Sequence, residues 1–63
     1  MAPLRPLRVL IVDDNVDAAQ SLTLLLEYFG ITVQTAADGS QGLELARSAT
    51  PDLILLDIGL PGM

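Results

Sequence analysis

The feature that most constrains this chain is a run of four large aliphatic residues at positions 53–56 that stops on the carboxylate of Asp57. Proline precedes the run, and glycine and proline follow it. A short apolar run between such breakers predicts a β-strand buried on both faces, as in a parallel sheet. Asp57 then either caps the following turn or lies at the carboxyl end of a central strand, where open α/β sheets bind ligands. The run alone does not decide between the two.

A second run of the same form favours the functional interpretation. The aliphatic residues 9–12 are followed by Asp13, Asp14 and Asn15. If the two runs are neighbouring parallel strands, Asp13, Asp14 and Asp57 converge at one edge of the sheet. Three carboxylates this close repel one another unless a cation lies among them. Oxygen ligands alone indicate a hard cation, and Mg²⁺ is the usual choice where a phosphoryl group also binds.

The segment between the two runs predicts two helices and one further strand. Asn15 can cap a first helix, and Gly30 can end it in the left-handed conformation. The inward-facing residues of this helix should be its regularly spaced apolar positions, namely Val16, Ala19, Leu22, Leu26 and Phe29. Residues 31–36 alternate between apolar and polar side chains, which indicates a strand near the edge of a sheet.

A second helix is expected over residues 40–49, and the first strand over about residues 7–12. Leu43 and Ala46 should turn inward, with Leu45 as a further candidate. The order is strand, helix, strand, helix, strand, with short connections. Right-handed crossovers then give an α/β fold whose parallel sheet has the spatial order 2-1-3.

Composition excludes several classes of function. The net charge is −5, from eight acids and three arginines, which argues against direct binding of nucleic acid. There is no cysteine, so neither a disulfide nor a thiolate metal site can form, in agreement with a cytoplasmic protein. No apolar run approaches the roughly 20 residues of a membrane span. The 63 residues form at most one small domain with a marginal core.

Other motif interpretations of the acidic segment are weaker. A calcium-binding EF-hand loop starting at Asp13 would need Gly and Glu where this chain has Ala18 and Leu24. A dinucleotide-binding fold needs a glycine-rich turn after the first strand, and the acids found there would repel a pyrophosphate. Asp17 lies in the first turn and suits the positive helix end, which favours helix support over ligation as its role.

The combined motifs resemble the N-terminal part of a response-regulator receiver domain, the phosphoacceptor module of two-component signalling. The matching segments are residues 9–15 (VLIVDDN), Ala37-Asp38-Gly39 with Gly42-Leu43, and residues 51–63 (PDLILLDIGLPGM). The resemblance implies a flavodoxin-like receiver fold that stops after its third strand. Residues 1–7 would be a leader, and residues 8–63 the N-terminal part of the domain.

The resemblance also implies roles for the site residues. Asp57 would accept a phosphoryl group from a sensor histidine kinase or a phosphotransfer protein, so that the complete domain would catalyse its own phosphorylation without being a conventional enzyme. Asp14 would ligate Mg²⁺ directly and Asp13 partly through water, with Asp57 and the backbone carbonyl of Gly59 as further ligands.

Two further groups of the resembled site are absent from this chain. Receivers carry a late lysine and a Ser or Thr on the fourth strand, whereas this sequence has no lysine and ends soon after the third strand. By itself the chain is therefore expected to be a non-catalytic fragment that interacts or oligomerises. The exposed edge of its third strand would pair with the missing C-terminal half or with a second copy.

Overall fold

The computed structural model describes residues 6–57, and Asp57 by its backbone alone. Five elements alternate along the chain: β1 (Arg8–Asp13), α1 (Val16–Tyr28), β2 (Thr32–Ala36), α2 (Gly39–Ala49) and β3 (Leu53–Asp57). The strands form one parallel sheet in the order β2-β1-β3. Fold class, element order and sheet order agree with the sequence-based prediction, as does the placement of β2 at an edge.

Strand β1 carries the core because it has a strand on each side and a helix over each face. Val9 and Ile11 point to the α1 side, where they pack with Ala19. Leu10 and Val12 point to the α2 side, where they pack with Ala36. All four β1 side chains are at most 3% exposed. Both small clusters therefore contain two buried residues of β1, and β2 contributes one residue to each.

The ends of α1 follow the sequence signals. The side chain of Asn15 caps the helix by accepting a hydrogen bond from the Ala18 N–H, at 3.1 Å. At the other end, Gly30 has φ of +82° and donates its N–H to the Glu27 carbonyl, and Ile31 donates to the Leu26 carbonyl. These two bonds form a Schellman motif, which confirms the predicted role of Gly30.

Several predicted core positions are corrected by the structure. Val16 and Phe29 were expected to face inward, but they are 67% and 68% exposed. Val16 is the first residue of α1 and Phe29 follows its last turn, so both lie at the ends of the helix. The inward stripe of the helix is confined to Ala19 and its partly buried neighbours Leu22 and Leu26.

On α2, Leu43 is 62% exposed, while Leu45 and Ala46 pack on the core. The prediction for Leu43 was therefore wrong, because the inward face of α2 passes through Gly42 and the positions three and four residues later. Gly42 itself is buried against Val12, which brings the helix backbone close to the sheet.

Strand β3 is not buried on both faces in this chain. Leu53, Ile54 and Leu56 are 48%, 47% and 66% exposed. The reason is that α1 and α2 both make their main sheet contacts with β1 and β2. Among the described residues, β3 therefore has a paired edge toward β1 and an open edge on its other side.

Arg8 ties together the rim at which the strands begin. Its guanidinium donates to the Ala49 carbonyl at 3.2 Å and to the Thr50 hydroxyl at 3.3 Å. Its backbone N–H donates to the carboxylate of Asp52, whose own N–H donates back to the Arg8 carbonyl. Thr50 has φ of 45°, a left-handed conformation that β-branched residues rarely adopt. Arg8 therefore bonds both to the end of α2 and to the turn that starts β3.

We predict that Gly42→Ala destabilises the fold. A Cβ atom at this position would lie 2.7 Å from Cγ2 of the buried Val12, whereas no atom lies within 4 Å of a Cβ built at Gly39. Overpacking costs about 1–3 kcal/mol, against a helix-propensity gain of about 1 kcal/mol for alanine. Urea unfolding should show a net loss for Gly42→Ala and none for the control Gly39→Ala.

The same contact can be checked by combining Gly42→Ala with Val12→Ala. Removing the methyl groups that clash should abolish the added cost of the alanine at position 42, so the two changes should not be additive. Additive losses, or a gain in stability for Gly42→Ala alone, would show that this close approach does not limit the packing of α2.

Candidate functional site

The candidate site lies at the rim where the parallel strands end. In the sheet register Asp13 is directly opposite Asp57, so the last residues of β1 and β3 are lateral neighbours. Neighbouring strands are about 4.8 Å apart. Residues 44 positions apart in sequence are thus brought together by the parallel pairing, as the sequence predicted for these two strand ends.

Asp13 is held by the turn that follows it. Its side chain is only 7% exposed, and Oδ1 accepts a hydrogen bond from the backbone N–H of Asn15 at 2.8 Å. Asn15 in turn caps α1 through its own side chain. The β1–α1 turn is therefore fixed by consecutive side-chain-to-backbone bonds, and one carboxylate oxygen of Asp13 is already engaged.

Asp14 has the opposite environment. It lies between Asp13 and Asn15 in the same turn, but it is exposed to solvent. An exposed carboxylate next to a buried one can bind a hydrated cation without a large desolvation cost. The two adjacent acids are therefore suited to different tasks.

The charge of this rim is not balanced by basic side chains of the described chain. Arg8 contacts the end of α2 at the opposite rim, and Arg47 lies in the last turn of α2. The nearest positive contribution within the described residues is the N-terminal end of α1, which begins at Val16 directly after the acidic turn. A rim with this charge should attract a cation.

Two other proposed ligand groups lie outside the described side chains. Asp57 is described by its backbone only, and the Gly59 carbonyl lies outside the described residues. Among the side chains that the structure describes, no three acidic or histidine groups form a metal-binding cluster. What the structure places is the Asp13–Asp14 pair together with the backbone of Asp57.

Asp38, at the corresponding end of β2, has a structural role. Its carboxylate caps α2 by accepting the Gln41 N–H at 2.8 Å, and the Gln41 side chain accepts the Ala37 N–H at 2.9 Å. This pair of hydrogen bonds was not predicted from the sequence. Asp followed three residues later by Gln is a helix-start signature that would have indicated it.

Comparison with known proteins assigns the chain to a family. Residues 9–63 match the response regulator receiver domain, so the chain belongs to that family of two-component signalling modules. Relatives include the DNA-binding response regulator MtrA of Mycolicibacterium smegmatis, 46% identical over 56 residues, and MtrA of Mycobacterium tuberculosis H37Rv, 45% identical over the same length. Protein PilH of Pseudomonas aeruginosa is 45% identical over 56 residues.

The relatives extend well beyond the matched segment. The alignments cover 89% of this chain, but 25% of either MtrA protein and 46% of PilH. The chain therefore spans a quarter to less than half of the length of these relatives.

Neither helix in the described part of the chain combines the length and the apolar composition of a membrane span.

We predict that neutralising the acidic rim stabilises the metal-free fold. Asp14→Asn or Asp57→Asn removes one of the acidic groups that the sheet brings to this rim, so the melting temperature in the presence of a chelator should rise. A gain of about 1 kcal/mol corresponds to about 4–8 °C for a domain of this size.

Asp17→Asn is the matched control for this measurement. Asp17 is an exposed acid in the first turn of α1, where a negative charge is favourable. Its neutralisation should leave the melting temperature unchanged or lower it slightly. If all three variants melt alike, repulsion at the rim contributes nothing to stability.

Proposed function

We propose that Asp57 is the phosphoryl acceptor of this receiver module, in a reaction that requires Mg²⁺. The observation that carries the proposal is the register of Asp57 opposite Asp13, at the carboxyl end of a strand in a family of receiver domains. The donor would be a phosphohistidine on a sensor histidine kinase or a phosphotransfer protein. We also propose that the module works in the cytoplasm.

The reaction is a transfer between two nucleophiles. A carboxylate oxygen of Asp57 attacks phosphorus, the bond from phosphorus to the histidine nitrogen breaks, and an acyl phosphate forms. The imidazole that leaves takes up a proton from solvent. The aspartate must be ionised to attack, and its approach to negative phosphoryl oxygens is unfavourable without compensation.

The described residues fit a magnesium ion at this rim. Asp14 is exposed, and no hydrogen bond from the described residues holds its side chain, so it can be a direct ligand. Asp13 has one oxygen engaged by Asn15 and offers the other. We propose Asp13, Asp14, Asp57 and the Gly59 carbonyl as the protein ligands. When bound, Mg²⁺ would neutralise charge shared by the carboxylates and the phosphoryl group.

The open edge of β3 is proposed as the contact with the rest of a receiver domain. β3 projects apolar side chains that neither helix covers, and the relatives are longer than this chain. A second copy paired through β3 is the alternative. In such a dimer the two α1 axes would be four strand spacings apart, about 19 Å, twice the distance of packed helices. A further strand that brings its own helices fills this space better.

We propose that the output function of the protein belongs to segments outside these 63 residues. MtrA is named as a DNA-binding response regulator, and this chain matches a quarter of its length. With a net charge of −5, the 63 residues are not expected to bind DNA directly. By themselves they are proposed to be a non-catalytic interaction unit, because the lysine and hydroxyl groups of the family site are not among them.

The phosphoacceptor proposal is tested on the complete receiver domain that contains these residues, with the 63-residue chain in parallel. Incubation with a small acyl phosphate and Mg²⁺ should add one phosphoryl group, labile to hydroxylamine, and peptide mapping should place it on Asp57. Asp57→Asn should abolish the adduct, and omission of Mg²⁺ should prevent it.

Asp17→Asn serves as the control, because it removes an exposed acid from the same helix end without touching the rim. It should be labelled as fully as the unmodified domain. An adduct that maps to any residue other than Asp57, or one that persists in Asp57→Asn, would exclude the assignment.

A further inference from the structure

The outer edge of β2 has two backbone N–H groups with no partner among the described residues. The Thr32 N–H donates to the Leu7 carbonyl, which fixes the direction in which this strand faces β1. Because successive residues of a strand point their backbone groups to alternate sides, Val33 and Thr35 point away from the sheet. The open edge of β2 is thus defined by these two residues.

The flanking positions are already satisfied. The Ile31 N–H donates to the Leu26 carbonyl, and the Ala37 N–H donates to the side chain of Gln41. Only the donors of Val33 and Thr35 remain available between them. A strand added at this edge could therefore form hydrogen bonds with two N–H donors and two C=O acceptors. Because these groups belong to Val33 and Thr35, they define one pairing register.

This edge also lacks the usual protection against pairing. Edge strands commonly carry lysine, proline or other charges that prevent association. Residues 31–37 read ITVQTAA and contain neither a charged residue nor a proline, in a chain that is 17% charged. The edge is polar enough to be solvated and has no feature that repels another strand.

Open clefts flank β2 on both faces of the sheet. On the α1 side, a cleft of about 290 Å³ is bordered by Val33 and Thr35 together with Gln20 and Thr23 of the helix. On the α2 side, a cleft of about 300 Å³ is bordered by Thr32 and Gln34, with Ser48 of that helix. Alternate residues of β2 thus border opposite clefts. The side chains of a strand added beside β2 would also alternate between the two faces of the sheet, so each cleft could receive those on its side.

We propose that a second copy of this chain pairs with the β2 edge, antiparallel, about a twofold axis at Gln34. In this register Val33 is opposite Thr35 of the second copy, and Thr35 is opposite its Val33. Both pairs exchange N–H and C=O bonds, so the four unpaired groups of each copy are all used. Registers centred on Val33 or Thr35 would require the N–H groups of Ile31 or Ala37, which are already engaged.

The helices favour a second copy over an isolated peptide strand. Since α1 contacts β1 and β2, its axis lies above that pair of strands. Across an antiparallel junction of two β2 strands, the α1 axes would be two strand spacings apart, about 10 Å, which is close to the distance of packed helices. The clefts of the two copies would then be closed by the flanks of α1 and α2.

The charges favour the antiparallel arrangement. Asp13 borders the α1-side cleft near the end of β2, and Arg8 borders the α2-side cleft near its beginning. An antiparallel pair places the acidic rim of each copy at the strand-start rim of the other. A parallel pair would place two acidic rims side by side, which like-charge repulsion opposes.

The pairing can be tested by cross-linking because the chain has no cysteine. At the axis, Gln34 faces Gln34 of the second copy in a non-hydrogen-bonded pair, with Cα atoms about 4.5 Å apart, within disulfide range. Mild oxidation of the 63-residue Gln34→Cys chain should give a covalent dimer. Thr32→Cys is the matched control, because it lies on the same face of β2 but two residues from the axis, and it should give no covalent dimer.

Sedimentation equilibrium on two proline variants separates the two open edges. Thr35→Pro removes an outward N–H of β2 without touching its bonds to β1, and Ile54→Pro does the same for the outer edge of β3. The register of β1 and β3 turns the N–H of Leu53 toward β1 and that of Ile54 away from it. We expect Thr35→Pro to weaken self-association about tenfold or more, and Ile54→Pro to leave it unchanged. Circular dichroism would show that both variants remain folded.

Three results would overturn the proposal. The first is an unmodified chain that stays monomeric at the highest soluble concentration. The second is association that Ile54→Pro abolishes and Thr35→Pro does not, which would assign it to β3. The third is equal cross-linking of Gln34→Cys and Thr32→Cys, which would indicate random collision. If Thr35→Pro fails to fold, the comparison of the two cysteine variants still decides.

Discussion

The structure depends on one strand being buried on both faces. β1 contributes Val9 and Ile11 to the cluster under α1, and Leu10 and Val12 to the cluster under α2. Burial of each such side chain contributes roughly 1.5–3 kcal/mol, and the rest of the described chain has few fully buried side chains. Both helices pack on β1 and on its neighbour β2, so β1 lies in the core on each face of the sheet.

The central position of β1 also creates the functional rim. A parallel strand on each side means that the strand ends lie at one edge, and the residue that follows the last buried aliphatic of β1 is Asp13. Asp13 is held by the Asn15 N–H, and Asn15 starts α1. The seven residues 9–15 therefore determine three features in turn: the packing of the core, the position of the Asp13 carboxylate and the start of α1.

The sequence was sufficient for the parts of the fold set by local signals. Apolar runs located β1 and β3, Asn15 and Gly30 marked the ends of α1, and the alternation over β2 indicated its edge position. These signals depend on backbone conformation and periodicity, which neighbouring residues determine. The acidic pair and its approach to Asp57 could be predicted because parallel strands end at the same rim.

The wrong predictions concern which residues of the helices are exposed. Exposure depends on which other elements cover a helix face, and the local sequence pattern does not determine this. Leu43 has the right spacing for the inward face of α2, but Gly42 lets the helix approach Val12 and so rotates the inward stripe away from Leu43. Phe29 is apolar and exposed because none of the five described elements covers it. The bond from the Asn15 N–H to Asp13 depends on the geometry of the turn, which residue types alone do not specify.

The central claim is that the ends of β1 and β3 together form one cation site. The most direct measurement is the NMR line broadening of backbone amides in the 63-residue chain on addition of Mn²⁺, which like Mg²⁺ prefers oxygen ligands. We predict selective broadening at Asp13, Asp14, Asn15 and Asp57, with Arg8, Thr32 and Asp52 at the opposite rim unaffected, and loss of the effect in Asp14→Asn. Broadening centred on Asp38 or Asp52, or an undiminished effect in Asp14→Asn, would contradict the account.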